Sequence, residues 1–147
     1  MNTDNRSAIV EPLANTHEVF NQSPPLEGYN SYTGDTALRE LVVTYDAAWA
    51  GEELLAHGAR CGSAEVYEWG FLANEYRPQY APHDRQGHRI DLVRYHDGYH
   101  QLMAMALEAG LHSSPWADPR PGAQVARAAK YYLQAQVESG HGCPVTM

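Results

Sequence analysis

The chain has 147 residues, 44% of them hydrophobic, which suits one domain with a packed core and excludes global disorder. Ten basic residues against 18 acidic ones give a formal charge of −8. Such a surface repels phosphates, and with no run of basic residues to offset it, nucleic-acid binding by this domain is not expected.

Two cysteines, Cys61 and Cys143, support neither a disulfide framework nor a cysteine-rich zinc site. The opening MNTDNRSAIVEPLA lacks the apolar stretch of a secretory signal, and no segment has the length of a membrane span, so a cytoplasmic protein is expected.

Residues 1–34 are polar and rich in turn formers, with Pro24-Pro25, Gly28, Asn30 and Gly34, and read as an extended arm. Val19, Phe20, Leu26, Tyr29 and Tyr32 predict that the arm lies on a surface, its own or a partner's. Residues 35–147 form the helical domain. A first helix is predicted from Asp35, as N-cap, to about His57, with Leu38, Leu41, Val42, Tyr45 and Trp49 on one face and Gly58 as its left-handed end.

A second helix starts at Ser63 as N-cap, carries Val66, Trp69, Gly70 and Ala73 along one side and stops before Pro78. HDRQGHRIDLVRY then places a turn at Asp84–Gly87 ahead of an alternating stretch, which predicts a short hairpin or an ordered loop. A third helix runs from Asp97 to Ala109 with Tyr99, Leu102, Met103, Ala106 and Leu107 as its stripe and Gly110 as its stop. SSPWADPRPG reads as a loop. A fourth helix spans Ala123–Glu138, with Val125, Ala126, Ala129, Leu133 and Val137 facing inward. The fold class is mainly all-α, four helices with the hairpin or loop between the second and third. The second and third helices are apolar nearly all round and need a partner surface.

The segment Tyr95-His96-Asp97-Gly98-Tyr99-His100 is one methylene short of the zinc-protease pattern H-E-x-x-H. That chemistry needs both histidines on one helical face, a glutamate that reaches the zinc-bound water, and a third ligand. Asp97 reads instead as the N-cap, which leaves His96 outside the helix, and neither His112 nor His141 has a defining spacing as third ligand. The preferred reading has His96, Asp97 and His100 bonding to backbone or carboxylates at the helix start.

His17, His57, His83 and His88 are scattered. Cys143, with Ser139 and His141 nearby, follows a helix C-terminus, where the dipole does not favour a thiolate. No glycine-rich phosphate loop is present. Arg120, Arg127 and Lys130 lie close in sequence and read as a solvated face. Trp49, Trp69, Trp116, Tyr131 and Tyr132 read as core, with an aromatic floor for a planar cofactor as the alternative.

Three long stretches in order, THEVFNQSPPLEGYNSY (16–32), HDRQGHRIDLVRYHDGYHQLM (83–103) and GAQVARAAKYYLQAQVESGHGCPVTM (122–147), resemble the AidB-like branch of the acyl-CoA dehydrogenase flavoproteins. The resemblance implies the N-terminal helical domain of a tetrameric FAD enzyme that oxidises acyl thioesters or serves in alkylation stress. That domain forms part of the acyl-pocket wall, while FAD and the catalytic carboxylate belong to the middle β and C-terminal helical domains. Where the family commonly has Pro and a small residue, this chain has Asp97 and Gly98, both compatible with a helix start.

No catalytic, cofactor-binding or metal residue is carried over. The expectation is an isolated chain without FAD and without catalysis, whose partners are the remaining flavoprotein domains or a second copy of itself. Two alternatives stand beside it: a stand-alone helical interaction module, and a small metal-dependent hydrolase built on YHDGYH.

Overall fold

A computed structural model describes residues 21–146. His17, Val19 and Phe20 lie outside the described residues. The elements are α1 (Ser31–Gly34), α2 (Thr36–Thr44), a 3-10 turn (Ala48–Ala50), α3 (Gly51–Cys61), α4 (Ala64–Glu75), β1 (Gln79–His83), β2 (Arg89–Arg94), α5 (Asp97–Glu108), α6 (Ser114–Ala117), α7 (Ala123–Ala135) and α8 (Gly142–Thr146). The mainly helical class and the hairpin between the second and third predicted helices are both present.

The predicted first helix is two helices. α2 stops because Asp46 takes a left-handed φ of 59°, and the Ala47 N–H turns back to the Val42 carbonyl at 2.8 Å. This is the glycine-type helix stop made with an aspartate, a residue whose short polar side chain tolerates that conformation. Gly58 does not end a helix. It lies inside α3, where a Cβ would come within 2.6 Å of Tyr32 Cβ and 2.7 Å of Asn30 Oδ1. Its role is to let α1 press onto α3, and the Ser31 hydroxyl donates to the Gly58 carbonyl there at 3.0 Å.

The end of the arm is therefore packed structure. The Gly28 N–H donates to the Gly62 carbonyl at 2.7 Å, Tyr29 and Tyr67 hydroxyls meet at 3.3 Å, and Tyr32 is buried. The segment read as a loop, SSPWADPRPG, contains α6, started by Pro115 in its first turn. The fourth predicted helix ends at Ala135, and Gly142–Thr146 makes a further short helix.

One core joins α1 to α5 and α7 through Val42, Leu54, Val66, Leu102, Met105 and Leu133, with Trp69 packed at its edge. Each such aliphatic side chain contributes about 1.5–3 kcal/mol by leaving water. A smaller cluster of Ala106, Leu111 and Val145 seats α8. The α5 stripe is rotated from the predicted one: Met105 is buried and Leu107 exposed. Trp116 and Tyr132, expected inside, are exposed, and so are Leu41 and Tyr45 on the α2 face.

β1 and β2 pair antiparallel, Tyr80 against Val93 and Ala81 against Leu92, with a bulge before His83 pairs with Arg89. The bulge holds Asp91 at φ 45°, where its carboxylate accepts from the Tyr80 hydroxyl at 2.5 Å and from Arg89 Nε at 2.7 Å. Every residue of β2 is exposed. The hairpin carries Arg85, Arg89 and Arg94, with Arg77 just ahead of it, and Arg89 pairs with Asp91.

Candidate functional site

YHDGYH lies at the junction of hairpin and α5, and it is His96, not Asp97, that caps the helix. The His96 Nδ1 accepts from the Gly98 N–H at 3.0 Å, so Nδ1 carries no hydrogen. The imidazole stacks on Tyr76 at 4.9 Å, which holds it over the helix end. Asp97 opens the first turn, where a carboxylate is favoured by the helix dipole. His100 meets Tyr95 and Tyr99 edge-on. Among the described residues no group of three or more His, Cys, Asp or Glu is placed to hold a metal ion.

Two buried polar clusters escaped the sequence reading. In the first, α3 and α7 are clamped together. His57 Nε2 donates to the Lys130 carbonyl at 3.1 Å, and the Lys130 ammonium donates to Glu53 Oε2 at 2.6 Å and to the Ala109 carbonyl at 3.1 Å. Burial pushes the His57 pKa down to about 4, and the positive charge of Lys130 adds to that, so the ring is neutral. Lys130 thus satisfies a carbonyl at the end of α5 while it pairs with α3. These residues line a cleft of about 420 Å³ with Arg60 and Glu108, which pair at 2.8 Å. Each charge in the cleft has its opposite beside it, so no single-sign field is left to draw an anion.

In the second cluster Gln134, wholly buried, donates its amide to the Leu102 carbonyl at 2.9 Å and to His141 Nε2 at 2.8 Å. The carbonyl fixes the amide's orientation, so His141 Nε2 must accept and Nδ1 must carry the hydrogen. Nδ1 donates to Glu138 at 2.9 Å. Burial alone would raise the Glu138 carboxyl, but bonds from the His141 backbone, the His141 ring and the Gly140 N–H outweigh it and hold it below the ordinary range. The arrangement ties α8 to α7. It leaves Ser139 and Cys143 outside any Ser–His or Cys–His relay, because both ring nitrogens of His141 are committed.

Arg120 and Lys130 line one cleft with Trp49, Glu53 and Asp118, Arg127 lies outside it, and Lys130 is no solvated residue. Arg120 lies 3.3 Å over the Trp49 ring and pairs with Asp118, while Arg127 donates to the Leu111 carbonyl and faces Trp116. An apolar groove of about 470 Å³ lies between α2 and α7, floored by Val42 and Ala129 and walled by Leu41, Tyr45, Val125 and Tyr132. The exposed half of the predicted α2 stripe is one wall of it.

The profile of the family described as adaptive response protein AidB N-terminal domain matches residues 21–147. The chain belongs to that family. Over 133 residues it is 45% identical to AidB of Escherichia coli (strain K12), named as an acyl-CoA dehydrogenase, which covers 90% of this chain and 25% of that protein.

Among solved structures, "Bd2924 apo-form" superimposes with a TM-score of 0.72 at 26% identity, covering 86% of this chain and 26% of that one. ACDH-11 of Caenorhabditis elegans in complex with C11-CoA gives 0.71 at 22% identity, 88% and 23%, a likeness of fold alone. The AidB-domain chain spans about a quarter of the length of each of these relatives.

Proposed function

We propose that this AidB-type domain is a folded wall and docking unit for a flavin-dependent acyl-CoA dehydrogenase, with the redox chemistry carried outside the 147 residues. The observation that supports this best is the 45% identity to AidB across nine-tenths of the chain. FAD needs partners for its pyrophosphate. Arg60, Arg120 and Lys130 are each paired with a carboxylate, and Arg127 bonds a carbonyl, so these four offer a pyrophosphate no spare charge. In the whole protein the ligand class would be an acyl thioester, the compartment the cytoplasm, and any alkylation-stress role would belong to the assembly.

The test is reconstitution. An AidB homologue shortened by its N-terminal quarter is mixed with this chain, and acyl-CoA-dependent flavin bleaching is followed. Restored bleaching supports the reading, whereas a chain that purifies with stoichiometric flavin of its own overturns it.

A second reading is favoured by the exposed Phe71, Trp116 and Leu26 and by the α2–α7 groove: the domain associates with a second copy of itself.

A further inference from the structure

Charge is segregated along this chain. From Arg77 to Arg94 there are four arginines and two aspartates, a balance of +2, which leaves six basic and sixteen acidic residues elsewhere, a balance of −10. The basic stretch is the projecting hairpin, which also exposes Tyr80, Ile90, Leu92 and Val93. A two-stranded hairpin with both faces in water is only marginally stable, so these exposed apolar side chains favour a cover.

The complementary surface is on the element just before it. Glu65, Glu68, Phe71 and Glu75 follow one another at three- and four-residue spacing and form an exposed stripe on α4. Phe71, at 71% exposure, is the most exposed of the large apolar side chains among the described residues. Among the described residues neither these glutamates nor Arg77, Arg85 and Arg94 take part in any ion pair. The acidic, aromatic stripe and the basic, aliphatic hairpin are thus both unpaired and adjacent on one chain.

We infer that two copies of this chain form a two-fold dimer in which the hairpin of each lies along the α4 stripe of the other. A two-fold axis requires one patch to contain both halves of the contact, and the α4–β1–β2 segment does. Phe71 and the hairpin's Leu92, which shares a face with Arg94, supply the apolar centre. The charges set register and salt dependence rather than most of the affinity. The inference rests on the self-association reading above and not on the dehydrogenase one.

Sedimentation velocity of the full 147-residue chain, over a range of concentration and at low and high salt, tests it. A dimer whose dissociation constant weakens about tenfold in high salt is expected. The pair Arg85→Glu with Arg94→Glu should abolish it, as should Glu68→Arg with Glu75→Arg, and the four changes together should restore it. Phe71→Ser is a second, charge-neutral probe that should also give monomer, with circular dichroism confirming the fold of each variant. A chain that stays monomeric throughout overturns both the inference and the self-association reading. A dimer indifferent to all of these changes overturns the inference alone and moves the interface elsewhere.

Discussion

Gly98 packs its Cα against the backbone of Trp69, so closely that a Cβ there would stand 2.7 Å from the Trp69 carbonyl oxygen and 3.2 Å from its Cα. This contact brings the start of α5 onto α4 and is why a poor helix former occupies the first turn. Backbone cannot swing aside as a side chain can. Gly98→Ala is expected to cost about 1–3 kcal/mol, read as a lower urea midpoint at unchanged slope. Gly51→Ala is the control. Gly51 has helical dihedrals with open space around it, and that substitution should stabilise by up to about 1 kcal/mol.

His96 and His100 separate by role. His96→Ala removes the acceptor for the Gly98 N–H and the stack on Tyr76, so a loss of about 1 kcal/mol is expected, with His96→Asp recovering most of it as a stronger cap. His100→Ala, an exposed position, should fall within about 0.5 kcal/mol of the parent. Thermal melts with and without zinc and chelator check the alternative: a chelator-sensitive midpoint lost in both variants would revive the metal reading.

Lys130 and Glu53 should respond unequally. The Lys130 side chain is buried and also serves the Ala109 carbonyl, whereas Glu53 is largely exposed. Lys130→Met is expected to lose about 1–3 kcal/mol, and Glu53→Gln no more than about 1 kcal/mol. Equal losses in chemical denaturation would mean that the ion pair, not the carbonyl bond, is what matters at this site.

The acid response follows from His57. Its folded pKa of about 4 lies below the unfolded value of 6.5, so the unfolded chain takes up the proton first. Stability present above pH 6.5 is therefore lost as pH falls toward 4, by on the order of 3 kcal/mol. His57→Gln keeps a donor for the Lys130 carbonyl without titrating, and should flatten the profile in that window. Glu138, held low, acts with the same sign but at lower pH, beneath the ordinary glutamate range of about 4.5. Denaturation midpoints measured from pH 7 to 4 on both proteins give the comparison.

What was legible in the sequence was whatever depends on local pattern. Ser63 as N-cap, Gly110 at φ 71° as a helix stop and the Asp84–Gly87 turn all stand where expected, because each is settled within a few residues. Asp46 was missed because aspartate marks helix starts far more often than left-handed stops. Gly58 was misread because its reason is Tyr32, 26 positions away. The clusters of His57 with Lys130, and of Gln134 with Leu102 and His141, had no sequence signal at all. His57 and Lys130 are 73 residues apart, and Gln134 and Leu102 are 32 apart. The family was legible for the opposite reason: long ordered similarity does not require knowing which contacts it preserves.

Cys61 lies in the core at the end of α3, and burial pushes its thiol up to about 12. Only a thiolate alkylates at a useful rate. With Cys143 replaced by serine, Cys61 is the chain's sole sulfhydryl, silent while the fold is closed and reactive each time it opens. The protein thus carries an internal clock: labelling measured against reagent concentration gives its opening rate without any denaturant.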